Sequence, residues 1–330
     1  MNDTYQNAML GSLIADAVAM PVHWYYDTNE LDNDYGTLSD YVAPKNPHSG
    51  SILWRSRYNP RNQRGDILRE QAKYWGQRGI HYHQFLKAGE NTLNYKLAVE
   101  LYNLVIENGF YDVTKWADRY VERMLEKGWH KDTYAEEYHR AFFDNYARGK
   151  EPVNCGIDDI HIGGLSHVPS LLAALQKVGV TELSEQLDIV DRHVRLTHKN
   201  RHVSEAAATL THMLHAISTG LNVRDVMDKN KEPASTRGQL ETWSNFPDRT
   251  VVGRHLSTAC YLPESFLASL YLAWKYADDF SAGILANAHC GGDNCHRGVV
   301  VGSLLGAADG IPKKWLSGLR ADLELKGAKS

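Results

Sequence analysis

Apolar residues recur at helical spacing along most of this chain, and segments that alternate with a period of two are nearly absent. Leu97, Leu101, Leu104 and Val105 form one stripe, Trp116, Tyr120, Val121 and Met124 a second, and Leu210, Met213, Leu214 and Ile217 a third. Each set falls on one helix face, and with no sheet to cover it that face must be buried against other helices. Further helical runs are expected around 4–19, 66–78, 134–147, 168–178, 182–196, 263–276, 279–288 and 297–308. The expected fold is all-α, a compact multi-helix bundle. Two stretches break the rhythm. Residues 24–64 carry Trp24, Tyr25 and Tyr26 among Pro, Gly, Asn and Arg, a composition suited to a long ordered loop over a site. Residues 228–262 carry Pro233, Gly238, Pro247 and Gly253. No repeat or linker divides the chain, so residues 1–330 read as a single domain.

Charge and cysteine usage narrow the setting. Basic residues number 36 against 40 acidic ones, and a formal charge of -4 gives no electrostatic footprint for nucleic acid. Four cysteines, Cys155, Cys260, Cys290 and Cys295, are too few for a disulfide scaffold, and none lies in a CxxC pair. The first residues lack a basic n-region and no apolar run reaches the ~18 to 20 residues of a membrane span. A soluble, cytoplasmic protein without a membrane partner is expected.

The stretch Cys290-Gly291-Gly292-Asp293-Asn294-Cys295-His296-Arg297 runs into the small-residue segment from Gly298 to Ala307. A Gly-Gly pair lets the backbone turn sharply, and Asp or Asn before a helix offers an oxygen to its unpaired N–H groups. Polar side chains are thereby fixed at a positive helix end, where a phosphate or carboxylate-rich ligand site is readily built.

Three segments resemble the ADP-ribosylglycohydrolase family, whose members include hydrolases that remove ADP-ribose from modified proteins and, more remotely, the J1 crystallins. Leu10-Gly11-Ser12-Leu13-Ile14-Ala15-Asp16-Ala17-Val18-Ala19-Met20-Pro21 is similar to the family's opening helix, which ends in Gly-Asp-Ala-Leu-Gly-x-Pro. Leu196-Thr197-His198 with the alanine-rich stretch 204–217 resembles its Leu-Thr-His segment. The Gly291-Gly292-Asp293 turn, with Gly310-Ile311-Pro312-Lys313-Lys314-Trp315-Leu316, resembles its ending.

The resemblance implies an ADP-ribosylglycohydrolase-type bundle and cleavage of an N- or O-glycosidic bond of an ADP-ribosyl or related ribosyl conjugate, either a small molecule or an ADP-ribosylated protein. It also implies Mg2+ held by Thr-Asp-Asp-Thr and Gly-Gly-Asp-x-Asp-Thr segments. Here Gly89, Glu90, Asn91 and Thr92 stand at the first of these. In the second, Asp293 is kept, Cys295 stands at the later Asp and His296 at the final Thr. His23 replaces a Glu expected two residues after Pro21. Hard cations bind in proportion to carboxylate charge, so four acids reduced to two make the binuclear site unfavourable. One Mg2+ on Glu90, Asp293, Asn91 and Thr92, with Cys295 beside it, stays open.

Glu90 is the expected base and Asp293 the expected metal or water anchor, because glycoside hydrolysis needs a delivered nucleophile and a proton donor. Asp16, His23, Gly163, Gly164, His167, Asn294 and His296 are the candidate substrate contacts, with the two glycines offering N–H groups to a phosphate. His161 is a further ribose contact, and Trp24, Tyr25 and Tyr26 either stack on adenine or pack their loop down. Blander roles stand beside these: Asp293 as an N-cap, Asp16 as a buried polar link, His198, His212 and His215 as interior histidines. His289, Cys290, Cys295 and His296 offer softer ligands for Zn2+, and Cys295 at a helix N-terminus is either a low-pKa nucleophile or inert. A catalytically silent ADP-ribose binder and a crystallin-like structural protein are the alternatives to a hydrolase.

Overall fold

All three apolar stripes become helices in the computed structural model, which describes residues 4–229 and 237–321. In chain order the helices are α1 (Thr4–Ala19), α2 (Thr28–Tyr35), α3 (Leu93–Asn108), α4 (Val113–Leu125), α5 (Glu137–Ala147), α6 (Val168–Lys177), α7 (Leu183–Val194), α8 (Arg201–Ser218), α9 (Val223–Lys229), α10 (Arg237–Ser244), α11 (Asp248–Thr250), α12 (Glu264–Lys275), α13 (Phe280–His289), α14 (Asn294–Asp309) and α15 (Lys313–Gly318). Among the described residues there is no strand, only isolated bridges such as Ile157 with His198 and His161 with Tyr261. The fold is all-α, as the periodicity requires. Polar punctuation sets the ends: Asp112 accepts from Lys115 N ahead of α4, Asp279 from Ala282 N ahead of α13, and Gly109 closes α3 in the left-handed region at φ 77.

The expected helix at 66–78 is instead a short 3-10 segment, Arg69–Tyr74. Its apolar positions are too sparse to form a face, and Arg69 at φ 47 breaks any regular run. Conversely, the loop region 24–64 contains α2, started by Asp27 accepting from Asn29 N, and α10 falls inside the irregular stretch 228–262. Pro233 lies outside the described residues.

α1 and α14 pack side by side through the centre and are buried on nearly every face. Their contact is backbone on backbone. A methyl carbon at Gly302 would sit 2.2 Å from Gly11 O, one at Gly11 2.0 Å from Gly302 O, and one at Gly306 2.6 Å from Asn7 O. Only glycine permits that approach. One continuous apolar core surrounds the pair, running from Tyr5 and Met9 through Leu97, Trp116, Leu171, Leu210 and Tyr271 to Trp315. A smaller cluster of Trp24, Leu53 and Tyr82 packs the loop region onto it. No described helix is long and apolar enough to cross a membrane.

Candidate functional site

The Gly-Gly turn forms as its sequence suggests. Gly291 and Gly292 adopt φ 63 and 61, and a side chain at either would strike the Tyr25 or Thr258 carbonyl at 2.3 Å. Trp24 N donates to Gly292 O at 2.8 Å and Gly292 N to Tyr25 O at 2.7 Å, which clamps the aromatic loop onto the turn. Arg297, fully buried, donates to the carbonyls of Gly291 (2.6 Å), Asn287 (3.3 Å) and Thr258 (3.3 Å) and so holds the turn from beneath.

Three helix N-termini converge here, each with a carboxylate. Asp16, at the end of α1, accepts from Thr92 N (2.9 Å), Thr92 Oγ1 (2.8 Å) and Asn91 Nδ2 (2.9 Å) and so caps α3 from a neighbouring helix. Glu136 is the N-cap residue of α5 and Asp293 that of α14. Asp293 makes no side-chain cap bond of its own. Its Oδ1 instead takes hydrogen bonds from His23 Nε2 (3.0 Å), Trp24 Nε1 (3.0 Å) and His296 Nδ1 (2.7 Å), while Oδ2 has no hydrogen-bond partner among the described residues.

From Asp293 a buried chain runs in two directions. Outward, His23 Nδ1 meets His83 Nε2 at 2.8 Å, and His83 Nδ1 meets Asp132 Oδ1 at 2.5 Å. Inward, His296 Nε2 faces Glu136 Oε1 at 3.3 Å and Asn94 Nδ2 at 2.9 Å; Asn94 Oδ1 then accepts from Tyr138 (2.7 Å) and His139 (2.9 Å). Protons on the outward branch can be placed by elimination. Asp293 must accept, so His23 carries its proton on Nε2, and in a neutral ring Nδ1 accepts from His83 Nε2–H. In a neutral His83, Nδ1 then accepts as well, and the Asp132 carboxyl is the donor of that contact.

Burial agrees with that inventory. It pushes Asp132 up to about 7 and Asp16 up to about 6, and it pushes His23 down to about 3 and His83 down to about 4. At the inner end burial loses to charge. It opposes a proton on His296, yet Asp293 and Glu136 on either side raise the ring to about 10. Burial likewise works against ionised Asp293 and Glu136, but His296 and the surrounding histidines hold both below the usual carboxylate range.

A profile of the ADP-ribosylglycohydrolase family matches residues 1–328. The chain belongs to that family. Crystallin J1A of Tripedalia cystophora is 23% identical over 353 residues, covering 96% of this chain and 91% of that protein. A solved "ADP-ribosylglycohydrolase-related protein complex" superposes with a TM-score of 0.58 at 20% identity, over 97% of this chain and 93% of the other, and so shares its fold.

Within this family member the anticipated site residues separate into two places. Asp293, His23 and His296 come together, with Asn294 beside them donating to Val22 O (3.1 Å) and Ala288 O (2.9 Å). Among the described residues no hydrogen bond or ion pair joins Glu90 to Asp293. Glu90 takes Lys87 N at 2.7 Å and lies 4.0 Å from Lys131 Nζ in an open cleft lined also by Lys96, Trp129, Asp132 and Arg320. Asp16 is fully buried and taken up by Asn91 and Thr92 at the start of α3; Asn91 Nδ2 donates to Leu13 O as well, while Asn91 Oδ1 has no hydrogen-bond partner among the described residues and Asn91 lines the same cleft as Glu90. Cys295 is fully buried against Asp16 O, and burial raises its thiol well above the usual value, which removes the low-pKa nucleophile.

Gly163 and Gly164 lie in a buried 3-10 turn, Ile162–Leu165, where Gly163 N already donates to His161 Nδ1 at 2.8 Å; neither offers its N–H to a phosphate from a cleft. A side-chain carbon there would strike Tyr138 or Val203 within 2.7 Å, so these glycines serve packing. His167 pairs with His193 at 3.1 Å beside a cavity of about 20 Å³, space for roughly one water. Trp24 and Tyr25 are buried and Tyr26 is exposed, so the loop aromatics mostly pack down. His198 is interior as expected, whereas His212 is exposed on α8. His83, Asp132, Glu136 and Asn94 escaped sequence reading altogether. His81-Tyr82-His83 in a polar loop was the one local hint.

Groups close enough to hold an ion are present: His23, Asp293 and His296, and His161, Cys260 and Asp293, each set with ligand atoms within 4.8 Å of one another. Among the described residues the set His289, Cys290, Cys295 and His296 does not form such a group. In the first set His23 Nε2 and His296 Nδ1 both turn to Asp293 Oδ1, so one carboxylate and two imidazoles make up the donor set. In the second, His161 Nδ1 is filled by Gly163 N–H and the Cys260 thiol is raised by burial. Each offers one carboxylate and otherwise soft or occupied donors, a poor match for Mg2+.

Proposed function

We propose that this protein is a divergent hydrolase of the family that cleaves a glycosidic bond of an ADP-ribosyl or related ribosyl conjugate, and that it does so without Mg2+ in a single domain of 330 residues. The observation that carries the reading is that Glu90 and Asp132 line one cleft together with Lys131, Arg320 and Trp129. Glycoside hydrolysis wants two carboxyl groups in different protonation states, one to activate water and one to protonate the leaving oxygen or nitrogen. Asp132, raised to about 7 by burial, keeps its proton near neutrality; its carboxyl lies buried behind the cleft wall and turned to His83 Nδ1, so it supplies the acid once that contact opens to the leaving group. Glu90, at the cleft surface, is the base. Lys131 and Arg320 are placed to meet phosphate oxygens, and the Trp129 ring offers a stacking face for a base.

Asp293 favours a second reading. It is sealed from that cleft with Oδ1 accepting three hydrogen bonds, and a member that has closed its family-matched acid fits a binder that does not turn over. One experiment separates the two. The full chain is incubated with ADP-ribosylated arginine and serine peptides in EDTA, and calorimetry follows ADP-ribose binding in parallel. Release of ADP-ribose that drops at least about 100-fold in Glu90→Gln and in Asp132→Asn supports the hydrolase. Binding without release supports the silent binder, and neither leaves a structural protein.

A further inference from the structure

We propose that the arginine-lined cavity between the 55–64 loop and α5 is a binding site for a phosphomonoester group. It shares no lining residue with the cleft at Glu90, so its failure would leave the hydrolase reading untouched, and the reverse. The cavity, of about 250 Å³, is lined by Arg57, Arg61 and Arg140 with Tyr58, Asn59 and Asp144. A net charge of -4 conceals this local excess: Arg55, Arg57, Arg61 and Arg64 follow one another in a single loop.

Rings rather than acids hold most of the guanidinium groups here. Arg55 and Arg78 lie over Trp54, 4.6 and 3.8 Å from the ring centre, Arg64 over Tyr146 at 4.2 Å, and Arg140 over Trp75 at 5.2 Å. An aromatic ring takes the face of a guanidinium and leaves its N–H edges for other acceptors. Arg57 makes no hydrogen bond, ion pair or ring contact among the described residues. Asp144 is the one carboxylate among the lining residues, and it is divided between Arg61 at 3.0 Å and Arg148 at 2.7 Å. Asp66 nearby is taken by the Tyr58 hydroxyl at 3.1 Å and Arg69 N at 2.9 Å. Elsewhere the pattern is different: Arg119, Arg123, Arg192, Arg201, Arg224 and Arg249 each pair with a carboxylate.

The loop is also fixed before any ligand arrives. Asn62 accepts from Arg64 N at 3.0 Å and donates to Ala147 O at 3.1 Å, which ties it to the end of α5. Tyr58 Oη accepts from Ile67 N at 2.8 Å, and a methyl carbon at Gly65 would lie 3.3 Å from Ala147 Cβ. Little ordering is left to oppose binding. Crowded cations repel one another, and a bound anion relieves that repulsion. A phosphomonoester carries nearly two negative charges near neutral pH and three terminal oxygens, enough to accept from Arg57, Arg61 and Arg140 together, and its geometry matches the guanidinium fork. A carboxylate brings half the charge, and Asp144 already supplies one. The volume suits one phosphate with a few attached atoms, below the ~300 to 1,000 Å³ of a pocket for a larger ligand.

The test is calorimetry of the full chain at constant ionic strength with inorganic phosphate, glycerol 3-phosphate, acetate, and a phosphoserine peptide beside its unphosphorylated counterpart. Phosphate is expected to bind at one per chain, with no saturable binding of acetate or of the unphosphorylated peptide. Arg57→Gln removes a side chain that touches nothing in the free protein, so it leaves folding intact, and it is expected to weaken phosphate binding at least about tenfold. Arg192→Gln on α7 is expected to leave that binding unchanged. Tighter binding of the phosphopeptide than of glycerol 3-phosphate assigns the group to a phosphorylated protein, and the reverse order assigns it to a small metabolite. Absence of saturable phosphate binding at millimolar concentration, equal binding of acetate, or phosphate binding that survives both Arg57→Gln and Arg61→Gln overturns the proposal. Thermal unfolding supplies an independent readout: phosphate is expected to raise the Tm of the wild type and to lose most of that effect in Arg57→Gln, and an equal rise in both overturns the site.

Discussion

Asp132 and His296 respond to pH in opposite senses because burial rules one and charge the other. The carboxyl of Asp132 is lifted from 3.8 to about 7, so the folded chain keeps a proton that the unfolded chain releases, and stability falls as pH rises from about 4 to about 7. Asp16, lifted to about 6, adds to the same slope. Asp132→Asn presents an amide N–H to His83 where the neutral acid presents its O–H, and is expected to remove up to about 3 kcal/mol of that pH-dependent loss. Urea unfolding at pH 5 and pH 8 checks it, and an unchanged difference between the two would refute the protonated Asp132. His296, raised from 6.5 to about 10, adds stability that is whole below about 6.5 and lost as pH climbs through 10. Asp293 and Glu136 are depressed, so their share is present above about 4 and lost on acidification. The triad is therefore strongest between about pH 4 and 6.5. His296→Gln is expected to cost about 3 to 5 kcal/mol, because it strands two buried acids rather than removing one bond.

At the scale of elements, the α1–α14 contact is the tightest constraint. Gly302→Ala must move one helix, since the new methyl would meet Gly11 O at 2.2 Å and backbone cannot rotate away as a side chain can. A loss of about 3 kcal/mol, read from the urea midpoint, is expected. Displacement here reaches the site directly, because Asp16 lies late on α1 and Asp293 at the head of α14. Gly36→Ala, by contrast, would add a methyl with nothing within 4 Å, and its cost is confined to a left-handed φ of 62. About 1 kcal/mol is expected there, and a loss equal to that of Gly302→Ala would contradict the close-packing account.

Across the whole molecule, the site is a junction of helix ends brought from four parts of the chain: the α1 exit, the starts of α3 and α5, and the α14 turn. Its groups were legible to unequal degrees. The Gly291-Gly292-Asp293 turn announces itself locally, since two adjacent glycines before a helix have few other uses. His83, Asp132 and Glu136 do not, because a histidine or acid in a polar loop looks the same whether it faces solvent or a buried partner fifty residues away. Glu90 turns to the outer cleft, where Lys87 N and Lys131 take it, and nothing in its local sequence signals that direction. The sequence by itself determined most of the helices and the Gly-Gly turn, because both follow from short-range spacing and local backbone freedom, while its motifs carried the resemblance to the family. Only the tertiary structure decided which acids are sealed inside and which histidine sits between them. Those outcomes depend on burial and on distances across the bundle, and no local pattern encodes a low-dielectric neighbour.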